Sequence, residues 1–122
     1  MSIALLDHVN IATDKLEATK DFFVTVLGLT VGDRPDFEFP GYWLYADGQD
    51  IVHLVGVEAG VAEDPVSPLD HFAFRTNDLE AMSDRLDTHG IKYIRVEAPD
   101  GSRRQLFLRD PNNVTIEISC RS

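Results

Sequence analysis

LDHVNIATDKLEATKDFF, residues 6–23, returns as LDHFAFRTNDLEAMSDRL, residues 69–86. At an offset of 63, Leu6, Asp7, His8, Thr13, Leu16, Glu17, Ala18 and Asp21 meet Leu69, Asp70, His71, Thr76, Leu79, Glu80, Ala81 and Asp84. Eight identities in eighteen positions stand against roughly one expected between unrelated stretches of average composition. Self-similarity on this scale marks a duplicated structural unit. The chain therefore reads as a first module over about 1–57, a connector over 58–68 and a second module over 69–122, all within one domain. The connector EAGVAEDPVSP is polar and carries Pro65 and Pro68, as linkers between patterned segments do.

Both copies parse alike. Leu5–Ala12 and Asp70–Arg75 alternate and are rich in strand formers. Asp14 and Asn77 follow as helix N-caps, each with a glutamate three residues on (Glu17, Glu80), the capping-box spacing. Leu16, Phe23 and Val26/Leu27 form one apolar helical stripe, and Leu79, Met82 and Leu86 another. Gly28 and Gly90 stand where C-cap glycines stand. Strands are then expected over Leu29–Asp33, Tyr42–Ala46 and Ile51–Val57, and over Ile91–Val96, Arg103–Arg109 and Val114–Cys120. Asp47-Gly48 and Asp110-Pro111-Asn112-Asn113 make the turn before each final strand. The unit is β-α-β-β-β, twice, in an α+β fold.

Composition narrows the function. A chain of 122 residues with 43% hydrophobic content builds one core without staples. A net charge of −10 argues against nucleic acid and against an anionic membrane surface. No apolar run is long enough to span a bilayer. Met1-Ser2-Ile3 leads into patterned sequence with no basic and apolar leader, and Cys120 is the only cysteine. The expected setting is therefore reducing and cytoplasmic.

Strand alternation sorts the side chains. Val9 and Ile11 share one face and His8 and Asn10 the other; Phe72 and Phe74 oppose His71. Val52 and Leu54 oppose His53, and Ile116 and Ile118 oppose Glu117 and Thr115. Helices cover the apolar faces. The opposite faces carry three of the four histidines and one carboxylate, His8 matching His71 and His53 matching Glu117 after a one-residue gap. Three imidazoles and a carboxylate on rigid strands suit one divalent transition-metal ion, such as Zn, Ni, Co, Mn or Fe, with positions left for water or substrate. His89, in the last helical turn before Gly90, reads as structural.

The stretches LDHVNIAT…LEATKDFFVTVLGL, GQDIVHLVG, LDHFAFRTNDLEAMSDRLDTHGI and RRQLFLRDPNNVTIEI resemble the vicinal oxygen chelate superfamily, the glyoxalase/bleomycin-resistance/dioxygenase fold. The resemblance is to its glyoxalase I-like members and covers most of the chain. It implies two βαβββ modules with paired mixed sheets around a cleft, a small-molecule substrate, and a homodimer in which the cleft is completed within one chain or between partners. The family's metal positions fall on His8, His53, His71 and Glu117. His53 departs from the Glu or Gln common at the second position. The first strand has Asn10 and Ile11, with no arginine of the kind that meets glutathione in glyoxalase I.

Three activities follow from the resemblance. The first is a metal-dependent lyase or isomerase that chelates two neighbouring substrate oxygens and stabilises an enediolate, with Glu117 doubling as proton shuttle. The second is an Fe(II) extradiol dioxygenase-like oxygenase using His8, His71 and Glu117, with His53 as bystander or proton relay. The third is non-catalytic small-molecule binding. Asn10, Thr115, Gln105, Phe107 and Arg103 are in phase with the candidate ligands and are expected to contact substrate. Of the adjacent pair Tyr42 and Trp43, Tyr42 is expected to face the cleft. The loop over residues 33–41 reads as either a lid or part of a subunit interface.

Overall fold

The computed structural model describes residues 5–59 and 71–121. The chain divides into two compact units, Met1–Asp64 and Pro65–Ser122. The first unit contains β1 (Val9–Thr13), α1 (Leu16–Asp21, widening into a π-helical turn over Phe22–Val26), β2 (Thr30–Gly32), β3 (Gly41–Ala46) and β4 (Gln49–Gly56). The second contains β5 (His71–Arg75), α2 (Leu79–Thr88), β6 (Ile94–Glu97), β7 (Arg103–Arg109) and β8 (Thr115–Arg121). Each is βαβββ. The sheet orders are β1-β4-β3-β2 and β5-β8-β7-β6, each with its outer first strand parallel to the last strand and the other pairs antiparallel. Two mixed four-stranded sheets, each with its helix, make an α+β fold. Of the expected connector, only Glu58 and Ala59 lie among the described residues.

The apolar half of each alternation builds the core. In the first unit Ile11, Leu44, Val52 and Leu54 are buried together with Phe22, Phe23 and Val26 from the helical segment. In the second, Leu106, Leu108, Ile116 and Ile118 are buried with Leu79 and Leu86 of α2. Burying one face of each sheet fixes strand register, because a one-residue slip would exchange the faces. The residues left on the opposite face are those that matter for the site.

Helix ends differ from expectation in one respect. Asp78, not Asn77, caps α2: its backbone is extended (φ −143°) and its carboxylate accepts the Ala81 N–H at 3.0 Å. Lys15, not Asp14, holds the N-cap of α1, with no side-chain cap; Thr13 Oγ1 accepts the Lys15 N–H at 2.8 Å instead. Neither glutamate closes a capping box. Glu17 accepts from the Tyr42 hydroxyl, and Glu80 pairs with Arg95. The C-terminal end of α2 matches its sequence signal. Gly90 takes φ +67°, which lets its N–H reach Asp87 O at 3.1 Å and the Ile91 N–H reach Leu86 O at 2.9 Å. That is the Schellman pairing of orphan carbonyls. Asp47 and Gly48, at φ +51° and +76°, form the tight turn between β3 and β4.

Strand β1 starts at Val9, later than expected, and Leu5 and Leu6 are exposed at 73% and 75%. β6 starts at Ile94 instead of Ile91. Among the described residues no helix is long and apolar enough to cross a membrane.

Candidate metal centre

Register shows which side chains are neighbours. In the first unit Asn10 pairs with His53 and His53 with Trp43, so β1, β4 and β3 present these three in one row on the face opposite the core. His8 precedes β1 by one residue and shares that face. Its ring stacks on His53 at 3.9 Å between centroids and 16° between planes. Trp43 stacks on His53's other side at 4.0 Å and 6°. His53 is thus held between two flat rings, its side chain 12% exposed, with Nε2 2.6 Å from Asp50 Oδ2. His8 is looser: its side chain is 37% exposed and its Nδ1 meets the neighbouring Asp7 carboxylate at 2.7 Å.

In the second unit Ala73, Glu117, Phe107 and Ile94 form the corresponding row. Glu117 is buried although it points away from the apolar core. Its Oε1 lies 3.2 Å from His71 Nε2, and its Oε2 accepts from Gln105 Nε2 at 3.0 Å. Phe107 meets the His71 ring edge-on at 5.8 Å. Thr115 is the register partner of His71. Arg103 lies two rows from Glu117, opposite Arg121 and exposed. An open cavity of about 550 Å³ beside this face is bordered by Phe107, Arg109, Thr115 and the Gly90–Ile94 segment.

The expected ligands therefore come as two pairs, His8 with His53 and His71 with Glu117, one pair in each unit. Among the described residues no group of three or more His, Cys, Asp or Glu is gathered closely enough to hold an ion. The donor chemistry of the pairs can be tested against a metal. Two ligands at about 2.1 Å from one ion, separated by 90–109°, stand about 3.0–3.4 Å apart. The His71–Glu117 separation of 3.2 Å lies inside that interval. The stacked pair supplies two imidazoles whose lone pairs lie in near-parallel planes, so it offers the right donors in a conformation that does not converge. The set fits a divalent ion by donor type, and the second pair fits it by distance as well.

One expected contact is misplaced. Tyr42 pairs with the core residue Leu54 and sends its hydroxyl to Glu17 of α1 at 2.5 Å, on the helix side of the sheet. Trp43 takes the site face instead. The repeat carries the missing signal: Trp43 stands to Phe107 at an offset of 64, the same offset that relates His53 to Glu117. The loop before β3 extends this aromatic row. Phe37 and Phe39 stack at 4.9 Å, Phe37 lies 6.5 Å from Trp43, and the Arg34 guanidinium sits over both phenyl rings while donating to Phe39 O.

This duplicated βαβββ architecture defines a class, and comparison with known proteins agrees. The chain belongs to the Glyoxalase/Bleomycin resistance protein/Dioxygenase superfamily, whose model matches residues 5–118. It is 27% identical to Glyoxylase I 4 of Arabidopsis thaliana over 97% of this chain and 71% of that protein. It is 27% identical to YaeR of Escherichia coli strain K12 over 97% of both. A glyoxalase family protein of Bacillus anthracis shares the fold with a TM-score of 0.80 at 23% identity, covering 100% of this chain and 98% of that one.

Proposed function

We propose that the protein is a metal-dependent lyase or isomerase of the glyoxalase type, acting on a small substrate with two neighbouring oxygens. One divalent ion (Zn, Ni, Co, Mn or Fe) is held by His8, His53, His71 and Glu117. The pairs are brought together within one chain or across a homodimer. The likeness to a glyoxylase I relative supports this reading. The observation that carries it is Glu117. A buried carboxylate is costly unless hydrogen bonds and positive charge compensate it. Here one oxygen is tied by Gln105 and the other faces an imidazole nitrogen.

Bound at this set, the ion supplies Lewis-acid charge where a substrate oxygen becomes negative. Glu117 takes the proton from the adjacent carbon at Oε1 and returns it, while Gln105 holds Oε2 still. Asn10 and Thr115, beside His53 and His71 in register, orient polar substrate groups. Trp43 and Phe107 wall the ligand rings and keep water from them. Arg103, two rows off, contacts only the far end of an extended substrate.

The test is chelation followed by return of each ion singly, assayed with small substrates bearing neighbouring oxygens. Turnover should vanish on chelation and return with the ion, in the absence of oxygen. Turnover that demands both Fe(II) and oxygen would replace this reading with the oxygenase. One observation favours that second reading: His53, stacked on both faces and engaged at Nε2, is well placed to stand outside a triad of His8, His71 and Glu117.

A further inference from the structure

We propose that Asp50 is a positioning residue for His53: its carboxylate accepts a hydrogen bond from the Nε2–H, so that Nδ1 is the nitrogen His53 offers to the ion. The second half of this statement rests on the metal-dependent reading above. The first half concerns the protein alone.

Asp50 and His53 lie three residues apart on β4, and in a regular strand such residues face opposite sides of the sheet. Yet Nε2 and Oδ2 are 2.6 Å apart. The cause is a register shift. Leu44 pairs with Val52 while the next residue, Tyr45, pairs with Asp50, so Ile51 has no partner on β3. One extra residue in a strand is a β-bulge, a device that re-aims a side chain. Here it turns Asp50 onto the face that carries His53.

The pair fixes a tautomer by elimination. An aspartate carboxyl is ionised at neutral pH, and Oδ2 of Asp50 lies 2.6 Å from His53 Nε2. An ionised carboxylate only accepts hydrogen bonds, so Nε2 must carry the proton. A neutral imidazole has one N–H, which leaves the lone pair on Nδ1. A half-turn of the ring would keep its plane between His8 and Trp43 but exchange Nε2 for a carbon opposite Asp50 Oδ2, so the hydrogen bond sets which way the ring lies. Histidines that ligate metals commonly donate their other ring N–H to a carboxylate, which sets orientation and raises basicity. The bulge gives His53 such a partner, and no residue expected from the repeat does so.

Heteronuclear NMR of histidine nitrogens in the full-length protein tests this, at a pH above the ordinary imidazole range, with His53 assigned from the signals missing in His53→Gln. The expected free protein shows His53 protonated at Nε2 and bare at Nδ1. Asp50→Ala should shift His53 toward a mixture of tautomers and weaken Zn2+ binding about 10–100-fold. Asp50→Asn, which keeps an acceptor oxygen, should lie between. Unmoved His71 signals serve as the folding control. Added Zn2+ should displace the His53 Nδ1 resonance. A free protein protonated at Nδ1, or a tautomer unchanged in both variants, overturns the proposal while leaving the metal reading intact. Zn2+ that moves His8 and His71 but not His53 overturns the offer of Nδ1 and leaves a three-ligand site. No Zn2+ binding overturns that offer together with the metal reading, whereas the tautomer is measured without metal.

Discussion

Glu117 separates chemistry from coordination. A glutamine in its place still offers a carbonyl oxygen to an ion but cannot take a proton at neutral pH. Glu117→Gln should therefore keep most of its metal and lose about two to four orders of magnitude in turnover, the usual worth of a general base. His8→Ala removes a ligand with no proton role, so metal content and turnover should fall together. Metal analysis beside steady-state rates checks both; loss of metal from Glu117→Gln as complete as from His8→Ala would leave the proton role unsupported. Trp43 gives an independent reporter. It is the only tryptophan in the chain and stacks on His53. Titration with paramagnetic Co2+ should quench its emission, and His53→Ala should abolish the quenching. Emission unchanged at saturation would place the ion away from His53. At this scale alternation alone selected His8, His53, His71 and Glu117, because strand period and apolar partners leave little choice of face. It chose wrongly between Tyr42 and Trp43, since both are aromatic and only register shows that Tyr42 shares the core face with Leu44 while Trp43 pairs with His53.

The strands and helices show where local pattern suffices and where it stops. β7 was legible to the residue, and the glycine ends of both helices were read from their position. The N-caps were off by one. Thr76, Asn77 and Asp78 all suit a helix start, and only the backbone shows which is extended. Asp78→Ala should lower stability by about 1 kcal/mol in urea unfolding, whereas Asn77→Ala should stay within about 0.5 kcal/mol. The reverse order would contradict the capping geometry. Glu80, bound by Arg95 between α2 and β6, has its carboxyl held below the ordinary range. A depressed folded pKa contributes stability at neutral pH that is lost as pH falls through that lower value. Glu80→Gln should accordingly flatten the acid side of the stability profile, with only a small loss at neutral pH because the pair is exposed. The bulge in β4 left no trace in the local pattern: Ile51–Val57 reads as plain strand, and the slip is visible only against the register of β3.

On the scale of the whole molecule the duplication is what made the fold readable. Eight identities at one offset set both modules at once, and two four-stranded mixed sheets with matching orders follow. How the two ligand pairs meet is decided by subunit exchange. Mixing His8→Ala chains with Glu117→Gln chains should restore activity if the pairs meet across a homodimer, because one hybrid site then loses both ligands and the other is intact. No recovery after verified exchange would place each site within one chain. The proposed function requires the same ion in either arrangement. Metal analysis of protein purified without a histidine tag therefore decides whether the site holds an ion. The expectation is about one divalent ion per chain, lost in His8→Ala and in His71→Ala alike. A fully active protein without bound metal, or metal retained undiminished in both variants, would contradict it.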